Sequence, residues 1–159
     1  MSLHLRQFRN LIIKPTLEQF NLDGPAATQL VEFTIAAESI IGETQFIKQT
    51  NGPALGIIQM EPATHDWLKH YITQRSDRFT ALINWIQHTG GYNTDRLIYD
   101  LKYQVIMCRI RYLTVPAALP EAYDWDNIAA YWKKYYNTPA GAGNIAKALA
   151  KANMAGVMA

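Results

Sequence analysis

Apolar residues recur at three- and four-residue spacings over most of the chain, in segments divided by proline and glycine, and this pattern predicts a mainly helical protein. Leu3, Leu5, Phe8, Leu11 and Ile12, set among His4, Arg6 and Arg9, predict an amphipathic helix over residues 1–14 rather than a signal peptide. Pro15 opens a short second helix through Phe20, and Asp23-Gly24-Pro25 starts a longer one over 26–41 that Gly42 ends. Between Thr44 and Met60 the pattern changes to the pairs Phe46-Ile47 and Ile57-Ile58 around Asn51-Gly52-Pro53, which suits a small β-hairpin or an ordered loop. Pro62 restores the helical period with Trp67, Leu68, Tyr71 and Ile72, and Phe79, Leu82, Ile83 and Ile86 carry it to Gly90-Gly91.

From Thr94 to Leu113 the apolar arc is too wide for a surface helix, so this segment is expected to be the buried central one. Pro116 and Pro120 form a rigid connector to a helix over Trp125–Tyr136. A loop over 138–143 and an Ala-rich tail helix capped by Asn144 follow. The chain has 159 residues, 49% of them hydrophobic, enough for one core and too short for two comfortable domains, so a single domain over 1–159 is expected. A net charge of +2 offers little long-range attraction for a phosphate backbone, and no apolar run approaches the roughly 18 to 20 residues that cross a bilayer. Neither nucleic acid nor membrane is therefore expected as a partner. Cys108, the single cysteine, excludes an internal disulfide and reads as a small core residue.

Wound at 100° per residue, the helix over 26–41 places Val31, Thr34, Ile35 and Ile41 in one sector together with Glu38, whereas Glu32 falls beside Ser39 on a polar side. A carboxylate within an apolar arc is partly desolvated, which favours the protonated form that a general acid needs. By position alone, a buried carboxylate satisfied by a hydrogen bond or a basic neighbour fits as well.

The residues after Glu38 narrow the choice. Glu38-Ser39 closes the helix, a polar loop follows, and then comes Gly56-Ile57-Ile58-Gln59-Met60-Glu61-Pro62-Ala63-Thr64. This order resembles the lytic transglycosylases and goose-type lysozymes that cleave peptidoglycan. Downstream, Ile128-Ala129-Ala130-Tyr131 and Tyr136-Asn137-Thr138-Pro139-Ala140-Gly141 are similar to an expanded form of that family's Ala-Tyr-Asn-Ala-Gly motif. The long form, through His65-Asp66-Trp67, looks most like the lysozyme-like proteins of tailed bacteriophages. The resemblance covers roughly residues 30–145 with its parts in the family order.

The resemblance implies a lysozyme-like α+β domain with the hairpin or loop beside the active-site helix. It also implies cleavage of the β-1,4 bond between N-acetylmuramic acid and N-acetylglucosamine, without metal or cofactor. Glu38 would protonate the glycosidic oxygen and then, as a base, take the proton of the muramyl C6 hydroxyl as it closes a 1,6-anhydro ring. A hydrolase would instead need a second carboxylate holding a water, about 6.5 to 9.5 Å away, for which Glu43, Glu61 and Asp66 are candidates. Ser39 corresponds to the family serine that orients the acid or an acetamido group, although its hydroxyl can equally bond back to its own helix. Gln59 and Met60 map to the sugar cleft, with core packing the alternative for Met60. The family tyrosine that bonds the acid is Tyr131 by its Ala-Ala-Tyr context or Tyr136 by the Asn137 that follows, with Tyr131 preferred. The insertion Trp132-Lys133-Lys134-Tyr135 separates the two. Trp67, Trp85, Trp125 and Trp132 suit either sugar stacking or the core.

Other chemistries find little support. His65 and His70 are five apart without an acidic residue to complete a zinc site, and no Gly-x-Ser-x-Gly elbow occurs. Lys133, Lys134, Lys147 and Lys151 are scattered rather than a nucleic-acid face. The competing reading is a lysozyme-like fold kept as a structural or peptidoglycan-binding part of a phage particle. Expected partners are therefore peptidoglycan glycan strands and other phage virion or tail proteins. The expected place of action is the bacterial cell wall or periplasm, reached within the virion or after release, without a signal peptide.

Overall fold

The computed structural model describes residues 3–138 and 140–159. Met1 and Ser2 of the predicted first helix, and Pro139 of the loop over 138–143, lie outside the described residues. The protein is mainly helical with one small antiparallel sheet. It opens with α1 (Leu5–Phe8), a π-helical turn (Arg9–Ile13) and α2 (Lys14–Gln19), which run on as one continuous rod. Pro15 therefore does not start a separate helix. A proline ring clashes with the carbonyl four residues back and offers no N–H, and the wider π turn just before it absorbs both defects.

Helix α3 (Pro25–Ser39) begins at Asp23-Gly24-Pro25 as expected, and leads into β1 (Ile40–Ile41), which pairs with β2 (Thr44–Gln45) across a tight turn at Gly42. The loop beyond β2 is held by isolated bridges from Leu55 to Lys48 and Met60. Then follow α4 (Pro62–Thr73), α5 (Thr80–His88), α6 (Arg96–Tyr99), α7 (Leu101–Leu113), α8 (Trp125–Trp132), a second π-helical segment (Lys133–Asn137) and α9 (Ile145–Met154). Asn144 caps α9 by accepting the Lys147 N–H, as its position predicts.

The expected helix over 94–113 is broken at Asp100. Its backbone is extended, its carboxylate caps α7 by accepting the Tyr103 N–H, and it also pairs with the buried Arg96 at 2.8 Å. Helix α7 is buried as anticipated, with Cys108 fully in the core, but it shares the centre with α3. Helix α3 packs against α7, α8, α9 and the first π turn and is buried nearly all round.

That corrects the reading of Glu32, which has no solvated side: it is 0% exposed and takes a two-point ion pair from Arg9 at 2.6 and 3.0 Å. A 100° periodicity shows which residues share a face, but not whether the opposite face is covered, and here the N-terminal rod covers it. Arg9 also donates to Val157 O, so the rod, α3 and the chain after α9 meet at one charge cluster. No helix among the described residues is long and apolar enough to cross a membrane.

Candidate functional site

Glu38 lies in the last turn of α3, where the helix's unpaired carbonyls disfavour negative charge, at the wall of a cleft of about 670 Å³. Trp132 Nε1 donates to Glu38 Oε1 at 2.8 Å, and Asn137 Nδ2 approaches the same oxygen at 3.4 Å. Burial pushes the Glu38 carboxyl above its usual pKa, against these two hydrogen bonds and the more distant charges of Lys151 and Arg111. No hydrogen bond among the described residues reaches Oε2, so the proton of the neutral acid belongs on that oxygen.

The Asn137 amide has one possible orientation. Its Oδ1 accepts from Lys133 Nζ at 2.8 Å and from Gly143 N at 3.1 Å, which turns Nδ2 toward Glu38. A Cβ on Gly143 would stand 2.6 Å from that oxygen, so a larger residue there would push the Asn137 amide from its place.

The segment Gly56–Met60 brings its last two residues, Gln59 and Met60, into the lining of the same cleft. Gly56 has φ +78°, and a Cβ on it would meet Leu97 O at 1.9 Å and the Gln104 side chain at 2.3 Å, so no other residue fits. Gln104 Oε1 accepts the Ile57 N–H at 2.8 Å, and Tyr136 Oη donates to Ile58 O at 2.8 Å. Gln59 follows with φ +47° and bonds back to Gly56 O, and the buried Met60 also lines the cleft.

The structure thus gathers Glu38, Gln59, Met60, Tyr136 and Asn137 around one cleft and leaves Ser39 and Tyr131 outside its lining. Ser39 bonds back to Ile35 O at 2.7 Å and accepts from Gln45 Nε2, a tie between the helix end and the hairpin. Tyr131, the preferred partner of the acid, donates instead to Ala117 O at 2.9 Å and packs its ring at a tilt against Tyr112 and Tyr135. Neither tyrosine hydrogen-bonds Glu38; Trp132 does. Its ring is buried edge-on to Phe33, so it belongs to the core and to the site at once. Trp67 is exposed, and Trp85 packs with Phe20 and Arg96.

Of the proposed second carboxylates, Glu61 lines the cleft, while Asp66 is hydrogen-bonded to His65 Nδ1 and Glu43 sits at the hairpin turn. His65 is buried, its Nε2 2.7 Å from Tyr103 Oη, and His70 is exposed. No cluster of three or more His, Cys, Asp or Glu able to hold a metal occurs among the described residues.

Comparison with known protein families, curated proteins and solved structures finds no match for this chain.

Proposed function

We propose that this protein cleaves the β-1,4 bond between N-acetylmuramic acid and N-acetylglucosamine in peptidoglycan as a lytic transglycosylase, with Glu38 as both acid and base on a lysozyme-like scaffold. The observation that carries the reading is the single desolvated carboxyl at the wall of an open cleft, with one oxygen fixed by Trp132 and Asn137 and the other free to carry a proton. In this reading Glu38 Oε2 gives its proton to the glycosidic oxygen as the C1–O bond breaks and positive charge develops on the sugar ring. The Trp132 and Asn137 N–H groups steady the carboxylate so formed. The carboxylate then takes the proton of the C6 hydroxyl as that oxygen bonds to C1, which closes the 1,6-anhydro ring and restores the acid.

The acid's position just before a two-stranded hairpin, in one cleft with Gln59 and Met60 of the Gly-Ile-Ile-Gln-Met segment, supports the same reading. The place of action is then the bacterial cell wall, reached by a phage-borne or released protein, with glycan strands as the partner. A second reading rests on Glu61, the other carboxylate lining the cleft: as a base for water, it makes the protein a muramidase.

Mass spectrometry of the soluble products from purified peptidoglycan, beside a Glu38→Gln control, tests both. Products ending in 1,6-anhydromuramic acid are expected. Reducing ends would assign the chemistry to hydrolysis and to Glu61, and no products from folded protein would leave a structural or binding role.

A further inference from the structure

At the opposite end of α3 from Glu38 is a second cavity, of about 330 Å³. From Pro25, which lines this cavity, to Glu38 the helix rises about 20 Å, so the two sites are separate. Thr28 and Gln29, in the first turns of α3, line its wall, although they are only 3% and 8% exposed. Gln29 Oε1 accepts the Tyr123 N–H at 2.7 Å, but among the described residues nothing bonds Gln29 Nε2 or Thr28 Oγ1. Tyr92 Oη and Gln104 Nε2 are the unpaired side-chain atoms sealed from solvent among the described residues; Thr28 Oγ1 and Gln29 Nε2 are not among them, and both residues line the cavity.

The rim narrows the occupant. Asp23 and Glu18 offer acceptors only, and Lys14 offers donors only, as does Arg9, which is already engaged by Glu32 and Val157 O. A simple anion would meet the two carboxylates, and a simple cation would meet the lysine. A neutral ligand whose groups both donate and accept satisfies each of them, and hydroxyls do so at one atom. Tyr123 adds an apolar face: it is 74% exposed, its backbone is held at φ +69° where a bulky residue is strained, and its N–H is tied to buried Gln29. The volume is at the lower end of the range of small-molecule sites, roughly 300 Å³ upward.

We infer that this cavity is a second, non-catalytic saccharide site that holds one sugar ring, with Tyr123 stacked on its face and Thr28 and Gln29 bonded to its hydroxyls. The chemistry stands on the cavity alone; the identification of the sugar as part of a peptidoglycan strand rests on the proposed function. Such a site would keep the protein on its polymer while the cleft works on a separate stretch.

The test is a titration of the full chain, labelled with ¹⁵N, with the β-1,4 tetramer of N-acetylglucosamine, which contains no bond between N-acetylmuramic acid and N-acetylglucosamine for the proposed reaction to cleave. Saturable shifts of the Thr28 and Tyr123 amides and of the Gln29 side-chain amide are expected. Thr28→Val and Tyr123→Ala should each weaken this response about tenfold, while the shifts at Gln59 and Met60 persist. Thr28→Val is nearly isosteric and Tyr123 is exposed, so both variants keep the fold. Shifts confined to the cleft, no shifts at all, or equal shifts with inorganic phosphate or glycine would overturn the inference. Cavity shifts from a protein that cleaves no peptidoglycan would sustain it and sink the proposed function; cleavage without cavity shifts would do the reverse.

Discussion

Trp132 and Asn137 donate to one and the same carboxylate oxygen, Glu38 Oε1, although they stand five residues apart. In a regular α-helix that separation leaves two side chains about 140° apart around the axis. The segment Lys133–Asn137 is π-helical, with a wider turn that brings residues five apart onto one side. The Trp132-Lys133-Lys134-Tyr135 insertion therefore does not simply push the second half of the motif away from the first. It winds Tyr136 and Asn137 back over the cleft and puts a tryptophan beside the acid, where the family resemblance implies a tyrosine.

Trp132→Phe keeps a ring against Phe33 and removes only the N–H. That hydrogen bond pulls the Glu38 pKa down, so its loss raises the pKa further. A general acid works while protonated, and activity falls as pH rises through its pKa. The alkaline limb of the cleavage profile should therefore move to higher pH, with a rate at the optimum lower by about tenfold. An unmoved limb with a lower rate would reduce Trp132 to a packing residue.

Glu38→Gln should abolish cleavage and leave the protein at least as stable. Gln Oε1 can still accept from Trp132 and Asn137, and the desolvated charge is gone. Because burial raises the Glu38 pKa above its ordinary value of 4.5, the fold favours the neutral acid. That contribution is present at low pH and is lost as pH rises from the unfolded value through the folded one. The stability advantage of Glu38→Gln over the natural protein should accordingly grow across that interval and then level off, as urea midpoints at several pH values will report.

Glu32→Gln is expected to destabilise, contrary to what its helical position suggests. Arg9 would lose half of a two-point ion pair against a carboxylate that is fully buried. Removing one partner of such a pair costs about 3 kcal/mol, read as a lower urea midpoint. Since Glu32 is on a different face of α3 from the cleft, the folded fraction should cleave at the natural rate. A stability change within about 0.5 kcal/mol would mean that the pair is worth no more than an exposed one.

What the sequence made legible was local. Asp23-Gly24-Pro25, Pro62 and Asn144 each carry their helix-start chemistry in the residue itself, and all three mark real helix starts. Glu38 was legible because its own neighbours at helical spacing are apolar. Glu32 was not, because the residue that covers it, Arg9, arrives from another rod twenty-three positions earlier. Asp100 was hidden by an apolar pattern that runs on through it, although an Asp capping a following helix is a familiar signal. Trp132 was out of reach of any rule that assumes 3.6 residues per turn, since its link to Asn137 exists only in the π segment.

Cys108 is a simpler check of the core. Its thiol is fully buried and pushed up to about 12, so the nucleophilic thiolate is scarce and unreachable. An aromatic disulfide reagent should leave the native protein unlabelled for as long as it stays folded and titrate one thiol in denaturant. Rapid native labelling would mean that α3 and α7 separate far more often than their packing allows.

The two tyrosines give the sharpest contrast between sequence and structure. Tyr131 was the preferred partner of the acid, yet its hydroxyl serves Ala117 O outside the cleft lining, whereas Tyr136 Oη is buried and holds Ile58 O at 2.8 Å. Tyr136→Phe strands that carbonyl, which costs about 1 kcal/mol, and it loosens the backbone that carries Gln59 and Met60 into the cleft wall. Tyr131→Phe cuts a bond at the connector before α8 and should leave the wall untouched. Cleavage rates measured below each variant's melting range should fall several-fold for Tyr136→Phe and stay near the natural value for Tyr131→Phe. The opposite order would return the tyrosine of the motif to position 131 and require Glu38 to meet it in a state other than the one described.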